Sequence, residues 1–254
     1  MDADYLRRRW LFLKMLAPIA EDTFLDLGGG KGIWAREFAP HVKDAFLVDK
    51  EARGYEGSLE TARQKMKDFH NFQAIDAEVT STPFPDAYFD KILCAEVIEH
   101  VSKPNRLLLE ISRLLKPKGV CLLTTPHSTF LASFPFPITK LFRKLPHCLQ
   151  NEYVKDGFEV HFGRKAGHIV PGYSEPQLRD MANQAGLTVC TVFLLINKPL
   201  ALFYDLINCL PRALSIALKP FSHLLCLFEN KPGAKQENGL GILVILRKPT
   251  AATS

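Results

Sequence analysis

From Thr23 onward the chain alternates short runs of apolar and β-branched residues with longer stretches whose apolar positions recur at helical spacing. Runs at Thr23–Leu27, 45–48, 72–75, 91–95 and 120–124 read as strands. Ile33–Phe38, 59–69 and 105–115 read as helices, the last entering after Pro104 and stopping before Pro117. Such alternation predicts a parallel sheet covered by helices and joined by right-handed crossovers. Ahead of it, Leu6, Trp10, Leu13 and Ala17 mark one stripe of an amphipathic helix, with Arg7, Arg8 and Arg9 largely off that stripe. A core strand follows almost at once, leaving no uninterrupted apolar stretch and cleavage site, so the expectation is an unexported, cytoplasmic chain.

After Thr124 the alternation breaks twice. Residues 126–173, rich in Phe, Pro, His and basic side chains, precede a helix at 175–185 and a strand at 187–196. Residues 198–238 then separate that strand from a final one at Gly241–Arg247. At 254 residues the chain is long enough for one domain over 1–254 with these two stretches as insertions, expected to form a substrate cap. With 47% hydrophobic and 23% charged residues, the composition argues against disorder and against a polytopic membrane protein. The excess of 32 Lys and Arg over 27 Asp and Glu is too mild to imply nucleic acid, and suits an anionic membrane surface equally well. Six dispersed cysteines, Cys94, Cys121, Cys148, Cys190, Cys209 and Cys226, form no CxxC pair, so they read as reduced, mostly buried thiols with no metal site assigned.

The chemistry concentrates at strand ends. Phe24-Leu25-Asp26-Leu27-Gly28-Gly29-Gly30-Lys31-Gly32 places a carboxylate at the end of the first strand and glycines at alternate positions of the turn after it. Glycine lets a backbone turn sharply and approach a ligand closely. A dinucleotide-binding GxGxxG would need a glycine three positions after Gly30, where Ile33 stands, which argues against NAD. Leu47-Val48-Asp49 ends the second strand, Ile75-Asp76-Ala77-Glu78 the third, and Cys94-Ala95-Glu96 the fourth, followed by Val97-Ile98-Glu99-His100. A single strand-end carboxylate could merely cap the next helix; four strand-end signals in order are not explained that way.

Those four signals, with Arg113-Leu114-Leu115-Lys116-Pro117-Lys118-Gly119-Val120 and the strand after it, make residues 23–126 resemble class I S-adenosylmethionine-dependent methyltransferases. The resemblance implies a Rossmann-like α/β fold: a seven-stranded, mostly parallel sheet of order 3-2-1-4-5-7-6, last strand antiparallel, with helices on both faces. It implies S-adenosylmethionine as cofactor, with Asp26, Gly28, Gly29, Gly30 and Gly32 ordering its amino acid end. Asp49, beside Lys50, would accept the ribose hydroxyls, and Asp76 with the Ala77 backbone would read the adenine edge. Cys94, Ala95 and Glu96 would line the methionine moiety. Two departures stand out: residues 79–82 make a longer link than usual, and Lys118 replaces a common glycine.

Methyl transfer is an in-line displacement at a sulfonium, so positioning and water exclusion carry much of the catalysis, and a base is required only where the acceptor must lose a proton. His127, directly after the fifth strand, is the favoured base over His100 and His168. In the second insertion Phe203, Leu206, Ile207 and Leu210 share a helical face, as do Phe221, Leu224, Leu225 and Phe228; Pro211 and Pro220 break the stretch into short helices, and Arg212, Ser215 and Lys219 mark a polar face. These pieces are too short to span a membrane and suit an interfacial segment, a helical cap or a subunit interface. The expectation is a small, hydrophobic or lipid-like acceptor with peripheral membrane contact and no nucleic acid. The alternatives are protein or nucleic-acid methylation, drawing on Lys140, Arg143, Lys144, Arg164 and Lys165, and a binding protein that holds the cofactor without turnover.

Overall fold

The strands that the apolar runs predict form one sheet in the computed structural model, which describes residues 3–51, 57–128, 137–146, 154, 167–195, 198–218, 221 and 240–250. β1 (Thr23–Leu27), β2 (Asp44–Asp49), β3 (Phe72–Asp76), β4 (Phe89–Ala95), β5 (Leu115–Pro126), β6 (Thr188–Leu195) and β7 (Gly241–Arg247) lie in the order β3-β2-β1-β4-β5-β7-β6. β1 is buried throughout because it is central, flanked in parallel by β2 and β4. β3, at an edge, is only partly covered. β7 runs against β5: the Lys118 N–H donates to the Lys248 carbonyl near the start of β5, whereas the His127 N–H donates to the Leu240 carbonyl at its end. As one residue number rises the other falls, which is the antiparallel pattern.

β5 begins five residues before the strand predicted at 120–124, because Leu115 pairs with Phe89, and Lys118 and Gly119 exchange backbone bonds with Lys248. Lys118 accordingly sits at φ 68, in the left-handed region, where glycine would be unstrained. The helices are α1 (Ala3–Leu16), α2 (Ile33–Phe38), α3 (Ser58–Lys65), α4 (Pro104–Leu114), α5 (Pro137–Phe142), α6 (Glu175–Gln184), α7 (Lys198–Cys209) and α8 (Arg212–Leu218). The helix predicted at 59–69 stops at Lys65, since the buried Met66 turns its N–H back onto Ala62 and Arg63 and the chain leaves through a Phe69-to-Met66 turn.

The chain divides into two compact units. One comprises Arg9–Thr124, Pro176–Val192 and Val244–Ser254. Its core includes Phe24 stacked on Phe38 at 4.4 Å and a cluster of Phe46, Phe84, Tyr88 and Phe89, with the Phe84 and Phe89 rings edge to face at 4.8 Å. The long link at 79–82 is held there by α4: Glu110 accepts from both the Thr82 N–H and its hydroxyl at 2.8 Å, and Arg113 donates to the Phe84 carbonyl at 2.7 Å and to Asp86 at 2.8 Å. The Arg113 guanidinium and the two Thr82 donors hold the Glu110 carboxyl below its usual range against the opposing effect of burial.

The second unit comprises Met1–Arg8, Thr125–Glu175 and Phe193–Leu243, and so takes in both interruptions of the alternating pattern. Within it α5 packs on α7 and α7 on α8, with Pro211 at the break between the last two as predicted. The contact between α5 and α7 is polar at its centre: Asp205, 1% exposed, accepts the Ile138 N–H at 2.9 Å, the Thr139 N–H at 3.3 Å and a short bond from the Thr139 hydroxyl. The predicted apolar faces thus hold only in part: Ile207 is buried, Phe203, Leu206 and Leu210 are half-buried, and Phe221 is 57% exposed. Leu224, Leu225, Phe228, Lys219, Pro220, Arg164, Lys165, Cys148 and Cys226, and the side chains of Arg212 and Ser215, lie outside the described residues. Cys94, Cys121 and Cys209 are buried free thiols and Cys190 is an exposed one.

Candidate functional site

The turn after β1 is built on three left-handed glycines: Gly28 at φ 79, Gly30 at φ 52 and Gly32 at φ 72. Gly28 and its neighbour Gly29 also lack room for a side chain. A Cβ at Gly28 would lie 2.4 Å from Val97 Cγ2, and one at Gly29 would lie 2.5 Å from Asp26 Oδ2. Gly28 and Gly30 are each tied to β2, Gly28 N–H donating to the Val48 carbonyl at 2.7 Å and Gly30 N–H to Asp49 Oδ2 at 2.6 Å. Gly32 leads into α2 and packs on Ala62 of α3, where a Cβ would come within 3.1 Å. The glycines therefore serve the turn's own geometry and keep it free of side chains on the edge where the strands end.

Asp26 is 1% exposed and accepts the Ala35 N–H of α2 at 2.9 Å, pinning the start of that helix to β1. Burial pushes its carboxyl up to about 7, the Ala35 N–H opposes the shift, and the nearby Asp49 charge adds to it. Asp49 is half-buried and also raised by burial, although the Gly30 and Lys50 N–H groups bind its charged form. Its Oδ1 takes the Lys50 N–H at 2.7 Å and its Oδ2 the Gly30 N–H. A carboxylate has about four acceptor positions, so two bonds leave capacity for two hydroxyl donors.

β2 and β3 set Asp49 and Asp76 side by side in register. Asp76 is exposed and ion-paired with Lys50 at 3.3 Å. The Ala77 N–H is bonded to the Asp49 carbonyl at 3.1 Å, which closes the end of this strand pair. Glu51, which the sequence did not single out, accepts the Gly57 N–H at 2.8 Å and the Leu59 N–H at 2.9 Å, so it caps α3 and adds a second negative charge beside Asp49. No local pattern announces it, because the six-to-eight-residue separation fits no standard capping box.

At the end of β4, Cys94 is fully buried, and desolvation with its neighbours' charges holds the thiol well above its ordinary range, so it is no nucleophile near neutral pH. Ala95 is half-buried and pairs with Thr124 of β5. Glu96 stands at φ 56, a conformation unfavourable for any residue but glycine, and is fixed there by two bonds with Thr124: its N–H to the Thr124 carbonyl at 3.0 Å and the Thr124 hydroxyl to its Oε1 at 2.8 Å. Strain held by this much hydrogen bonding is a feature of functional positions. His127 belongs to the second unit with Tyr173: the two form an isolated parallel bridge, the Tyr173 N–H reaching the Pro126 carbonyl at 2.9 Å, and His127 is 9% exposed. Gly172, at φ 153, makes this bridge possible, since a Cβ there would meet the Pro126 carbonyl oxygen at 2.2 Å. His168 lies in the same unit as His127, and His100 in the unit of the strand ends.

The structure thus brings Asp26, the glycine turn, Asp49, Lys50, Asp76, Ala77, Cys94, Ala95 and Glu96 to the carboxyl ends of β1 to β4, the edge at which open α/β sheets bind ligands. Similarity to known proteins points the same way. The chain is 35% identical over 113 residues to the uncharacterized methyltransferase YcgJ of Bacillus subtilis, which is 44% of either chain. It is 34% identical over 136 residues to a demethylmenaquinone methyltransferase of Protochlamydia amoebophila, covering 50% of this chain and 56% of that one. The aligned part therefore spans about half the length of these curated relatives. The crystal structure of YcgJ superimposes with a TM-score of 0.59 at 20% identity, over 96% of this chain and 99% of that one, which shows the fold. A methyltransferase domain model matches residues 3–192, and the chain belongs to that family, in its class I, S-adenosylmethionine-dependent form.

Proposed function

We propose that this protein transfers a methyl group from S-adenosylmethionine to a small, hydrophobic or lipid-like acceptor, in peripheral contact with a membrane. The observation that carries the cofactor half is the turn from Gly28 to Gly32, locked to Asp49 and to β2 at the strand ends with acceptor capacity left on Asp49 and Asp26. These residues fit the group. A cradle without side chains suits the amino acid end, the buried Asp26 suits an ammonium, half-buried Asp49 suits a ribose diol, and exposed Asp76 suits a donor on the adenine edge. When bound, the cofactor supplies the electrophilic methyl carbon on a sulfonium. The protein's residues bind and orient it: Asp26 and the glycine turn hold one end, Asp49 the middle, and Glu96 is held rigid by Thr124 beside the methionine region.

His127 takes the role of base where the acceptor is a phenol or alcohol, with its backbone fixed by Tyr173 and Leu240 so that the ring stands at the end of β5. Residues 126–173 and 198–238 recognise the acceptor. Support for a hydrophobic acceptor comes from the relative that methylates demethylmenaquinone and from the apolar side chains in those segments. No described helix is long and apolar enough to cross a membrane. The test is an assay with an isotope-labelled methyl donor on lipid and quinone extracts, with the product identified by mass spectrometry. Donor binding without any labelled product would replace this reading with a binding protein; labelled protein or nucleic acid would replace the acceptor class.

A further inference from the structure

Most of the chain's net positive charge belongs to the unit that holds the two insertions. That unit carries 13 Lys and Arg against 9 Asp and Glu, whereas the rest of the chain carries 19 against 18. The excess has a local focus, since no Asp or Glu occurs between Glu110 and Glu152, and in that gap stands Lys140-Leu141-Phe142-Arg143-Lys144-Leu145. The first three of these residues close α5, and a tighter turn follows: Arg143 N–H still bonds to Thr139, but Lys144 N–H bonds to Leu141 and Leu145 N–H to Phe142, three residues back.

The side of this turn that faces inward is fixed. Thr139 is 5% exposed, with its hydroxyl on Asp205 and 3.5 Å from Cys209 Sγ, both on α7. At about 100° per residue in the helix and about 120° in the tighter turn after it, Lys140 and Lys144 fall about 100° and 160° round from Thr139, and Leu141 and Leu145 about 200° and 280°. Two lysines and two leucines thus form one continuous arc opposite the buried threonine. All four are exposed, Leu141 by 59% and Leu145 by 41%. Arg143 lies outside the arc and is held by the Val154 carbonyl at 2.8 Å.

We infer that this arc, Lys140, Lys144, Leu141 and Leu145, is a docking surface for an anionic lipid bilayer. It deepens the reading of a lipid-like acceptor and rests on it. The lysines reach headgroup phosphates along their apolar stems while the adjacent leucines enter the acyl boundary. A nucleic acid would use the lysines and leave the leucines without a role, and the arc offers no exposed aromatic ring on which a base could stack. The polar clamp beneath, Asp205 on the Ile138 and Thr139 donors, makes α5 a rigid support that keeps the arc turned outward.

The experiment is sedimentation of the full chain with vesicles of phosphatidylcholine alone or mixed with phosphatidylglycerol, together with calorimetric titration of S-adenosylmethionine. The wild type should partition onto the anionic vesicles and lose most of that binding in about 0.5 M salt, where screening is severe. Lys140→Gln with Lys144→Gln should weaken partition about 30-fold, about 5-fold for each lysine near a charged surface. Leu141→Ser with Leu145→Ser should abolish the part that survives salt. Both double variants change only exposed side chains and should keep the thermal midpoint and the cofactor affinity of the wild type. Equal partition of either variant with wild type, equal binding to neutral and anionic vesicles, or a change of oligomeric state in the leucine variant would overturn the inference, as would RNA binding that needs the lysines and ignores the leucines. In the wild type, cofactor binding without partition onto anionic vesicles removes the docking surface alone, and partition without cofactor binding removes the methyltransferase reading alone.

Discussion

Replacing Asp26 by Asn tests how the site stores its binding capacity. The side chain is 1% exposed and its carboxyl is lifted from 3.8 to about 7, chiefly by burial. A folded-state pKa above the unfolded one means that the native state holds more protons between these limits, so stability falls as pH rises through that window and stays low above it. A shift of about 3 units corresponds to about 4 kcal/mol of stability missing at about pH 8. Asn keeps the oxygen that accepts the Ala35 N–H at 2.9 Å and cannot ionise, so that loss disappears. Against this, its amide brings buried donors without a partner, at about 1–3 kcal/mol. The expected balance is a variant about 1–3 kcal/mol more stable than wild type near pH 8 and less stable near pH 4. With a cost of about 2 kcal/mol for the amide, the two curves cross near about pH 5. Urea unfolding at several pH values measures this directly. A difference between the two proteins that stays constant across the range would refute the assignment of the proton to Asp26.

Asp49→Ala should weaken S-adenosylmethionine binding by about 1.5–3 kcal/mol in calorimetry, through lost charge-assisted bonds; unchanged affinity in a folded variant would remove Asp49 from the site. Gly28→Ala should cost about 2–4 kcal/mol in chemical denaturation, because a Cβ at φ 79 would stand 2.4 Å from Val97. Combining it with Val97→Ala should recover the steric part of that loss and leave the backbone strain. Lys118→Gly, which removes left-handed strain at φ 68 at an exposed position of β5, should raise stability by about 0.5–1 kcal/mol in the same measurement, and a loss of stability there would contradict the strain assignment.

The strands were legible because each is a short apolar run bounded by turn residues, and burial on both faces leaves little else for such a run to become, whereas their order and the antiparallel last strand came only from the resemblance to class I methyltransferases. The strand-end carboxylates were legible for a related reason: a charged residue that closes an apolar run stands out, and Asp26, Asp49 and Asp76 each do so. What stayed hidden depends on contacts far apart in the chain. β5 starts early because Lys118 and Gly119 find Lys248, and the link at 79–82 is ordered because α4 brings Glu110 and Arg113 to it. Asp205 is a lone acidic position among the largely apolar residues of α7, and nothing local marks it, since its partners Ile138 and Thr139 stand 67 and 66 residues earlier.

Asp26 and Asp205 show how the carboxylate proposed to meet a ligand differs from a structural one at equal burial. Both are 1% exposed. Asp205 accepts from three donors on the residues that begin α5, so its desolvation is offset within the fold. Asp26 has one backbone donor, Ala35, and a second carboxylate nearby, and its pKa of about 7 reflects that shortage. A ligand ammonium would supply the missing partner, favour the charged form and draw the pKa down. Binding near pH 7 should therefore release a fraction of a proton, seen as a dependence of the calorimetric enthalpy on the ionisation enthalpy of the buffer. Asp26→Asn should abolish that dependence as well as weaken binding. An enthalpy independent of the buffer in the wild type would mean that Asp26 meets the cofactor already charged, and that its acceptor capacity is satisfied by another group.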